Sequence, residues 1–305
     1  MKIALNKPIL DTAYGGSNHF LNMLRNYLIH DKLQFVKSYK EADVLFITGT
    51  RDYNTTFWIN EIKEAKNKKI IFRVNDCDKP RGTDYMDKNV QEIFKYANQV
   101  IFVSEWCKEY FKNKGITHAN STVIPNVPNT DLFKGIDRKE NDTLKVVTHH
   151  FSNNLQKGGK YYEYLASFCK SRGIIFRYIG NYDKKKIDLK HAEVFPAIPY
   201  HRLPRILEDC DLYVTAAYAE SGANHIMEGV CCGLVPLVHN EGGSTVEYTK
   251  DMGFVFGNEQ GLAQIIQEFD NNRILLLNAK HHVRMITKGL NHNDMLKKYK
   301  EVILK

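Results

Sequence analysis

Short, nearly continuous apolar runs recur along the chain, rich in β-branched residues, and amphipathic stretches stand between them. The runs fall at 2–6, 43–48, 69–74, 99–104, 144–149, 174–179, 192–195, 211–216, 234–238 and 253–256. A strand with one face in water alternates apolar and polar residues. A strand covered on both faces does not, and that is the habit of parallel sheets sandwiched by helices. The stretch 17–29 sets Phe20, Leu21, Leu24 and Leu28 on one helical face, and 85–97, 105–114, 161–172 and 222–232 read as helices too. Such alternation predicts an α/β fold with right-handed crossovers.

The rhythm pauses once, at 125–143, where Pro125, Pro128, Gly135 and a mixed charge cluster intervene before Leu144-Lys145-Val146-Val147 restarts it. The 305 residues therefore divide into two doubly wound, Rossmann-like domains, 1–140 and 141–305, expected to face each other across a cleft. A final helix, 291–305, carries Met295, Tyr299, Val302 and Ile303 as an apolar stripe that would let it pack back on the N-terminal domain. Doubly wound sheets bind ligands at the carboxyl ends of their strands, so functional residues are expected in the loops just after them.

Composition excludes several classes. Hydrophobic residues at 43% and charged residues at 26% do not fit a disordered chain, and no apolar run reaches the ~18–20 residues that span a bilayer. The opening Met1-Lys2-Ile3-Ala4-Leu5-Asn6 is too short and too soon polar for a secretory signal. The six cysteines show no C-x-x-C or zinc spacing, and Cys231 and Cys232 are adjacent, which suits reduced thiols in a cytoplasmic protein. A net charge of +8 favours anionic partners without selecting one. Lys184-Lys185-Lys186 and the group Lys297, Lys298 and Lys300 are short and read as lacking the interleaved aromatics of a base-stacking platform, so no nucleic-acid partner is expected. These lysines would serve solubility, or a peripheral contact with anionic lipid if the acceptor is membrane-bound.

Five loops carry the chemistry. Tyr14-Gly15-Gly16-Ser17-Asn18 follows the first strand; paired glycines let backbone N–H groups approach an anion, and a plain turn with Ser17 as N-cap fits equally. It is neither G-x-G-x-x-G nor a P-loop. His149-His150-Phe151-Ser152-Asn153-Asn154-Leu155-Gln156-Lys157-Gly158-Gly159 sets a lysine beside backbone donors, as a diphosphate requires; the histidines lack a third ligand at metal spacing, and structural and functional roles both remain open for them. Glu220 follows a strand, Ser221-Gly222-Ala223 turns, and Glu228 sits in the next helix. Eight helical residues span ~12 Å, beyond the ~5–9.5 Å of a glycosidase pair, so the two carboxylates read as separate acceptors for hydroxyls of an elongated ligand. Glu241-Gly242-Gly243-Ser244-Thr245 is a further glycine turn, and Arg73-Val74-Asn75-Asp76-Cys77-Asp78 offers Asp76 or Asp78 as base, acceptor, N-cap or turn carboxylate. Together the loops describe a cleft for an anionic, polyhydroxylated ligand.

The E-x7-E spacing of Glu220 and Glu228, then Cys232-Gly233-Leu234-Val235-Pro236 and Gly242-Gly243, resembles the retaining nucleotide-sugar glycosyltransferases of the GT-B fold, family 4, the glycosyl transferases group 1. Gly15-Gly16, Val103-Ser104-Glu105-Trp106 and Val123-Ile124-Pro125-Asn126 agree with it, and the likeness runs over essentially the whole chain. A short bacterial and viral subgroup is similar through Thr148-His149-His150-Phe151-Ser152, Arg73 to Asp78 and Gly222-Ala223-Asn224-His225. The resemblance implies a metal-independent transferase that needs no cofactor beyond a UDP- or GDP-sugar donor, moving the sugar with retention to a hydroxyl of a glycan, lipid-linked glycan or glycoprotein, as in polysaccharide biosynthesis. It implies that Glu220 holds donor-sugar hydroxyls with the backbone of Gly222 and Ala223, that Glu228 holds the ribose, and that Lys157, aided by Gly15 and Gly16, neutralises the diphosphate. The base would lie near Ile198-Pro199. Ser152, Asn154, Asn224, His225 and Gly243 complete the donor-binding set, and Asp76 is the acceptor-side candidate where relatives place a histidine. Relatives also carry an arginine before the lysine; His149–Ser152 has none, so a histidine, Asn154 or another cation would replace it. A non-catalytic nucleotide-sugar or glycan-binding relative of the same fold is the alternative.

Overall fold

A computed structural model describes residues 1–10, 15–49, 55–65, 67–135 and 142–305; Tyr14 lies outside the described residues. Two compact units make up the chain, Met1–Asn126 with His292–Lys305, and Val127–Asn291.

The first unit alternates strands and helices: β1 (Lys2–Leu5), α1 (Gly16–Ile29), β2 (Gln34–Val36), β3 (Val44–Thr48), α2 (Thr55–Glu64), β4 (Lys69–Val74), α3 (Met86–Phe94), β5 (Gln99–Phe102), α4 (Glu105–Lys112) and β6 (Ser121–Val123). Its sheet is parallel throughout, in the order β2-β1-β3-β4-β5-β6. The continuous apolar runs are the inner strands. All five residues of β3 are buried, and Leu45, Ile47, Phe72 and Val100 share one core with Val90, Ile93 and Phe111 of the helices. The edge strands β2 and β6, three residues each, are not among the apolar runs of the sequence.

The second unit repeats the plan with β7 (Lys145–His150), α5 (Gly159–Arg172), β8 (Ile175–Gly180), β9 (Glu193–Phe195), α6 (Leu203–Leu207), β10 (Leu212–Thr215), α7 (Asn224–Cys231), β11 (Val235–His239), α8 (Ser244–Thr249), β12 (Phe254–Phe256), α9 (Glu259–Asn271) and α10 (Arg273–Thr287). The parallel order is β12-β11-β10-β7-β8-β9. Successive strand residues feed opposite faces. Val146, Leu212, Val214 and Leu237 enter one core, while Val147, Tyr213 and Val238 enter the other. Strand order reverses between β7 and β10, and that switch point is where a doubly wound sheet opens a crevice for ligands.

The units part at Asn126 and Val127, earlier than the expected boundary near residue 140, which falls among residues outside the described ones. Phe133 explains the difference. It is buried in the core of the second unit with Val147, Tyr213 and Cys231, and its ring lies 5.0 Å from that of Tyr200, so the chain before residue 140 already belongs to that unit.

The closing helix α11 (His292–Leu304) belongs to the first unit. It buries Met295, Leu296, Tyr299 and Ile303, with the Tyr299 ring 4.7 Å from Phe20 of α1. Its last carbonyls would be left open by helix geometry; Lys69 Nζ donates to those of Val302 at 2.7 Å and Ile303 at 3.0 Å. Arg73, in the middle of the sheet and 1% exposed, is the tie beneath it. Its guanidinium lies 4.0 Å from the centre of the Phe20 ring and donates to Tyr299 Oη (3.0 Å), Thr48 Oγ1 (3.3 Å) and Asn126 Oδ1 (2.7 Å). A buried cation is tolerated only when its donors are satisfied, and here neutral oxygens and a π face do so. Arg73→Met is expected to lower stability by about 2–4 kcal/mol in urea unfolding, because three buried acceptors lose their donor, and Arg73→Lys should not restore it, since an ammonium lacks the planar fork.

Candidate functional site

At the switch point of the second unit, two loops meet through their backbones. The loop after β7 forms a short 3-10 turn at Leu155–Lys157, capped by Asn154, whose Oδ1 accepts from Gln156 N–H at 3.0 Å. Ser152 Oγ accepts from Asn154 N–H at 3.2 Å. Both residues, expected to touch a donor, thus also hold the turn that carries Lys157. Gly158 then adopts a positive φ of 98° and presses on Ala216, where a Cβ would stand 2.6 Å from the Ala216 Cβ. Gln156 C=O accepts from Tyr218 N–H at 2.8 Å, joining this turn to the loop after β10.

That second loop is fixed on its other side by the glycine turn after β11. Glu220 N–H donates to Gly242 C=O (3.0 Å) and Ser244 N–H to Glu220 C=O (2.8 Å), forming an isolated parallel bridge between Glu220 and Gly243. Gly243 sits at φ 68°, ψ −124°, and a Cβ there would lie 2.7 Å from Glu220 C=O, so only glycine fits. Ala219 stands at φ 53°, a conformation a non-glycine residue adopts only when its surroundings impose it. Ala223 N–H donates to Ser244 Oγ at 3.0 Å. The outcome is an ion pair: Lys157 Nζ donates to Glu220 Oε1, with both side chains largely buried.

Behind the pair, α7 carries Glu228, 5% exposed and so not a surface helix glutamate. His149 Nε2 lies 2.7 Å from Glu228 Oε2, and His149 Nδ1 lies 2.9 Å from the Tyr213 hydroxyl. Tyr200 also hydrogen-bonds Glu228; burial foremost, then that carboxylate, raises its phenol well above the ordinary value. His150 and His225 are neutral. Burial holds His150 well below the usual imidazole range, and His225 is pushed down to about 3 by burial foremost, with Lys157 and His149 adding to it. Hydrogen bonding agrees: Tyr162 Oη, taking Ala216 N–H at 3.2 Å, is 2.7 Å from His150 Nε2, and Thr215 Oγ1, taking Ala217 N–H, is 3.0 Å from His225 Nε2. Of the stand-ins considered for the missing arginine, His150 is therefore no cation, and His149 and Asn154 hold Glu228 and the Lys157 turn.

The second unit thus draws together Lys157, Glu220, Gly243 and the α7 start at Gly222, Ala223, Asn224 and His225, with Glu228 reached through His149. Ile198 packs beside the same core. Gly15, Gly16 and Asp76 belong to the first unit. There Gly15, not Ser17, caps α1, and Ser17 Oγ instead accepts from Asn75 Nδ2 at 2.7 Å. Asp76 receives a two-pronged ion pair from Arg81, with Nε and Nη2 each 2.9 Å from Oδ2. Asp78 accepts from Thr83 Oγ1 and from the N–H groups of Met86 and Asp87, so it stabilises the start of α3. Among the described residues no group of three or more His, Cys, Asp and Glu side chains is arranged to hold a metal ion, and no helix is long and apolar enough to cross a membrane. Sequence reasoning missed Tyr213 and Tyr200; the signal was a tyrosine inside the otherwise apolar β10, whose hydroxyl needs a partner once buried.

The fold has counterparts among solved structures. A family model described as Glycosyl transferases group 1 matches residues 181–292, which include the E-x7-E segment and the glycine turn. Anabaena HepE in complex with UDP-glucose superposes with a TM-score of 0.79 over 99% of both chains at 14% identity. Sucrose-phosphate synthase from Thermosynechococcus elongatus gives 0.78 over 99% of this chain and 98% of its own at 12% identity. A curated protein, the trifunctional protein RibF/MnmA of Mycoplasmoides gallisepticum, is 31% identical over 99 residues, 30% of this chain, and the match spans only 14% of that protein. The chain has the two-domain α/β GT-B fold of these structures, and its residues 181–292 match the glycosyl transferases group 1 family model.

The two neutral histidines carry a pH signature. The unfolded chain binds their protons near pH ~6.5 while the folded chain resists, so stability present above that pH is lost as pH falls. Urea unfolding between pH 7 and 4 should lose up to about 1.4 kcal/mol per pH unit for each histidine, and His225→Asn should flatten that slope.

Proposed function

We propose that the chain is a glycosyltransferase that takes a sugar from a nucleoside-diphosphate sugar and retains the anomeric configuration on transfer to an acceptor hydroxyl. The observation that carries the reading is the Lys157–Glu220 pair at the strand-order reversal, beside the start of α7. A cation and a carboxylate held side by side match the two ends of such a donor. The lysine faces the diphosphate and the carboxylate accepts the sugar's hydroxyls.

In this reading the bond between the anomeric carbon and the diphosphate breaks first in the sense of charge development. Lys157 and the positive end of the α7 dipole stabilise the departing phosphates, as fixed charges and dipoles do most effectively where water is excluded. Entry of the donor replaces the lysine's contact with Glu220 by contacts with phosphate. Glu220 then takes the sugar hydroxyls, Glu228 the ribose diol, and the base lies near Ile198. The acceptor oxygen bonds to the anomeric carbon on the face the diphosphate leaves, and its proton passes to the departing diphosphate oxygen. Ser152, His225 and Gly243 shape the donor side. Asp76 is the acceptor-side candidate, and to act as a base its carboxylate must first release Arg81. HepE, bound to UDP-glucose, and a pneumococcal O-GlcNAc transferase, bound to UDP and GlcNAc, support a UDP-sugar as the first donor to test. The acceptor class is a glycan or lipid-linked glycan, the reaction proceeds without a metal ion, and the cytoplasm is the compartment where reduced thiols and nucleotide sugars coexist.

Lys157→Ala and Glu220→Gln are each expected to cut nucleoside-diphosphate release at least about a hundredfold in protein that circular dichroism shows to be folded, the scale of losing one preorganised electrostatic contact. Full turnover in either variant overturns the assignment. EDTA is expected to leave turnover unchanged, and loss of activity that returns with added divalent cation would contradict the metal-independent route. Before an acceptor is known, a thermal shift with UDP, GDP and their sugars reports donor binding directly.

A further inference from the structure

We infer that His149 is the positioning residue for Glu228 and thereby sets how firmly the chain grips a ribose diol, an inference that rests on the nucleotide-sugar reading above. A glutamate on a helix has three side-chain torsions, so a carboxylate meant to meet two hydroxyls at fixed positions must be held from behind. His149 does this, with Nε2 at 2.7 Å from Oε2. His149 and Tyr200 both hydrogen-bond this carboxylate and so fix the direction in which it faces a diol.

The imidazole is itself immobilised. His149 N–H donates to Tyr213 Oη at 3.2 Å, and that hydroxyl, 2.9 Å from Nδ1, donates to the ring and so leaves Nε2–H for Glu228. The Tyr213 ring is fully buried in β10 and lies against Gly229 of α7, where any Cβ would run into the ring. Gly229 is the residue after Glu228. The arrangement therefore closes on itself: a glycine lets α7 approach Tyr213, Tyr213 fixes His149, and His149 fixes the carboxylate one residue before that glycine. Such a loop of contacts orients a group and does not merely fill space.

The test measures affinity for UDP and GDP, and for their 2′,3′-dideoxy forms, by titration calorimetry on the full chain. The wild type should prefer the ribose form by about tenfold or more, a step that one to two good hydrogen bonds support. His149→Phe should reduce that preference to within about twofold while leaving dideoxy affinity unchanged. His149→Gln, whose amide nitrogen can take the place of Nε2, should restore most of it. In turnover, His149→Phe should raise KM with kcat held within about threefold, the pattern of lost uniform binding. If His149→Phe fails to fold, Tyr213→Phe, which removes one oxygen, decides; it should weaken the ribose preference. A preference untouched in the folded variant, or a wild type that binds the nucleotide with no ribose preference, overturns the role of His149. A wild type that binds neither UDP nor GDP overturns the nucleotide-sugar reading itself.

Discussion

Close approach of backbone to backbone is the constraint on which the rest of the site depends. Lys157 reaches Glu220 because Gly158 lets one loop press on Ala216 and Gly243 lets another bridge to Glu220 itself. Side chains at either glycine would separate the loops by the thickness of a methyl group, and the ion pair between them depends on that spacing. Ala219, held at a positive φ, shows where the surrounding hydrogen bonds force the chain to accept strain so that the next residue points correctly. The cost falls on a residue without a role of its own.

Each unit holds a buried polar chain that runs between distant elements. In the first unit it is the guanidinium of Arg73, spread over Phe20, Tyr299, Thr48 and Asn126, which ties α11 and the end of the unit to the sheet. In the second it is the run from Tyr213 through His149 to Glu228. The first is built from a permanent cation and neutral acceptors, and its consequence is cohesion. The second is built from groups that accept and donate in sequence, and it leads to a carboxylate at the switch point. Partly satisfied, either would be worse than an apolar core, and that is why their members are specific residues and not merely polar ones.

Much of this was legible in the residues. Continuous apolar runs marked the eight longer strands because burial on both faces removes the alternation that a half-exposed strand would show, and the glycine and carboxylate loops were found because parallel strands all deliver their loops to one edge. Lys157, Glu220 and Glu228 were singled out by position after a strand or within the helix that follows. The edge strands β2 and β6 left no such pattern, and the division at Asn126 was hidden because Phe133, lone in a proline-rich stretch, announces nothing about which core it will enter.

What the sequence determined by itself was therefore the class of fold, the family likeness and the loops that hold the chemistry, since these follow from local periodicity and short spacings. Only the tertiary structure decided which partners those residues take: that Asp76 faces Arg81, that Asp78 caps a helix, that His150 and His225 are neutral, and that His149 serves Glu228, 79 residues away. Hydrogen bonds and burial between residues far apart in sequence depend on how sheets and helices pack, and no local pattern encodes that distance.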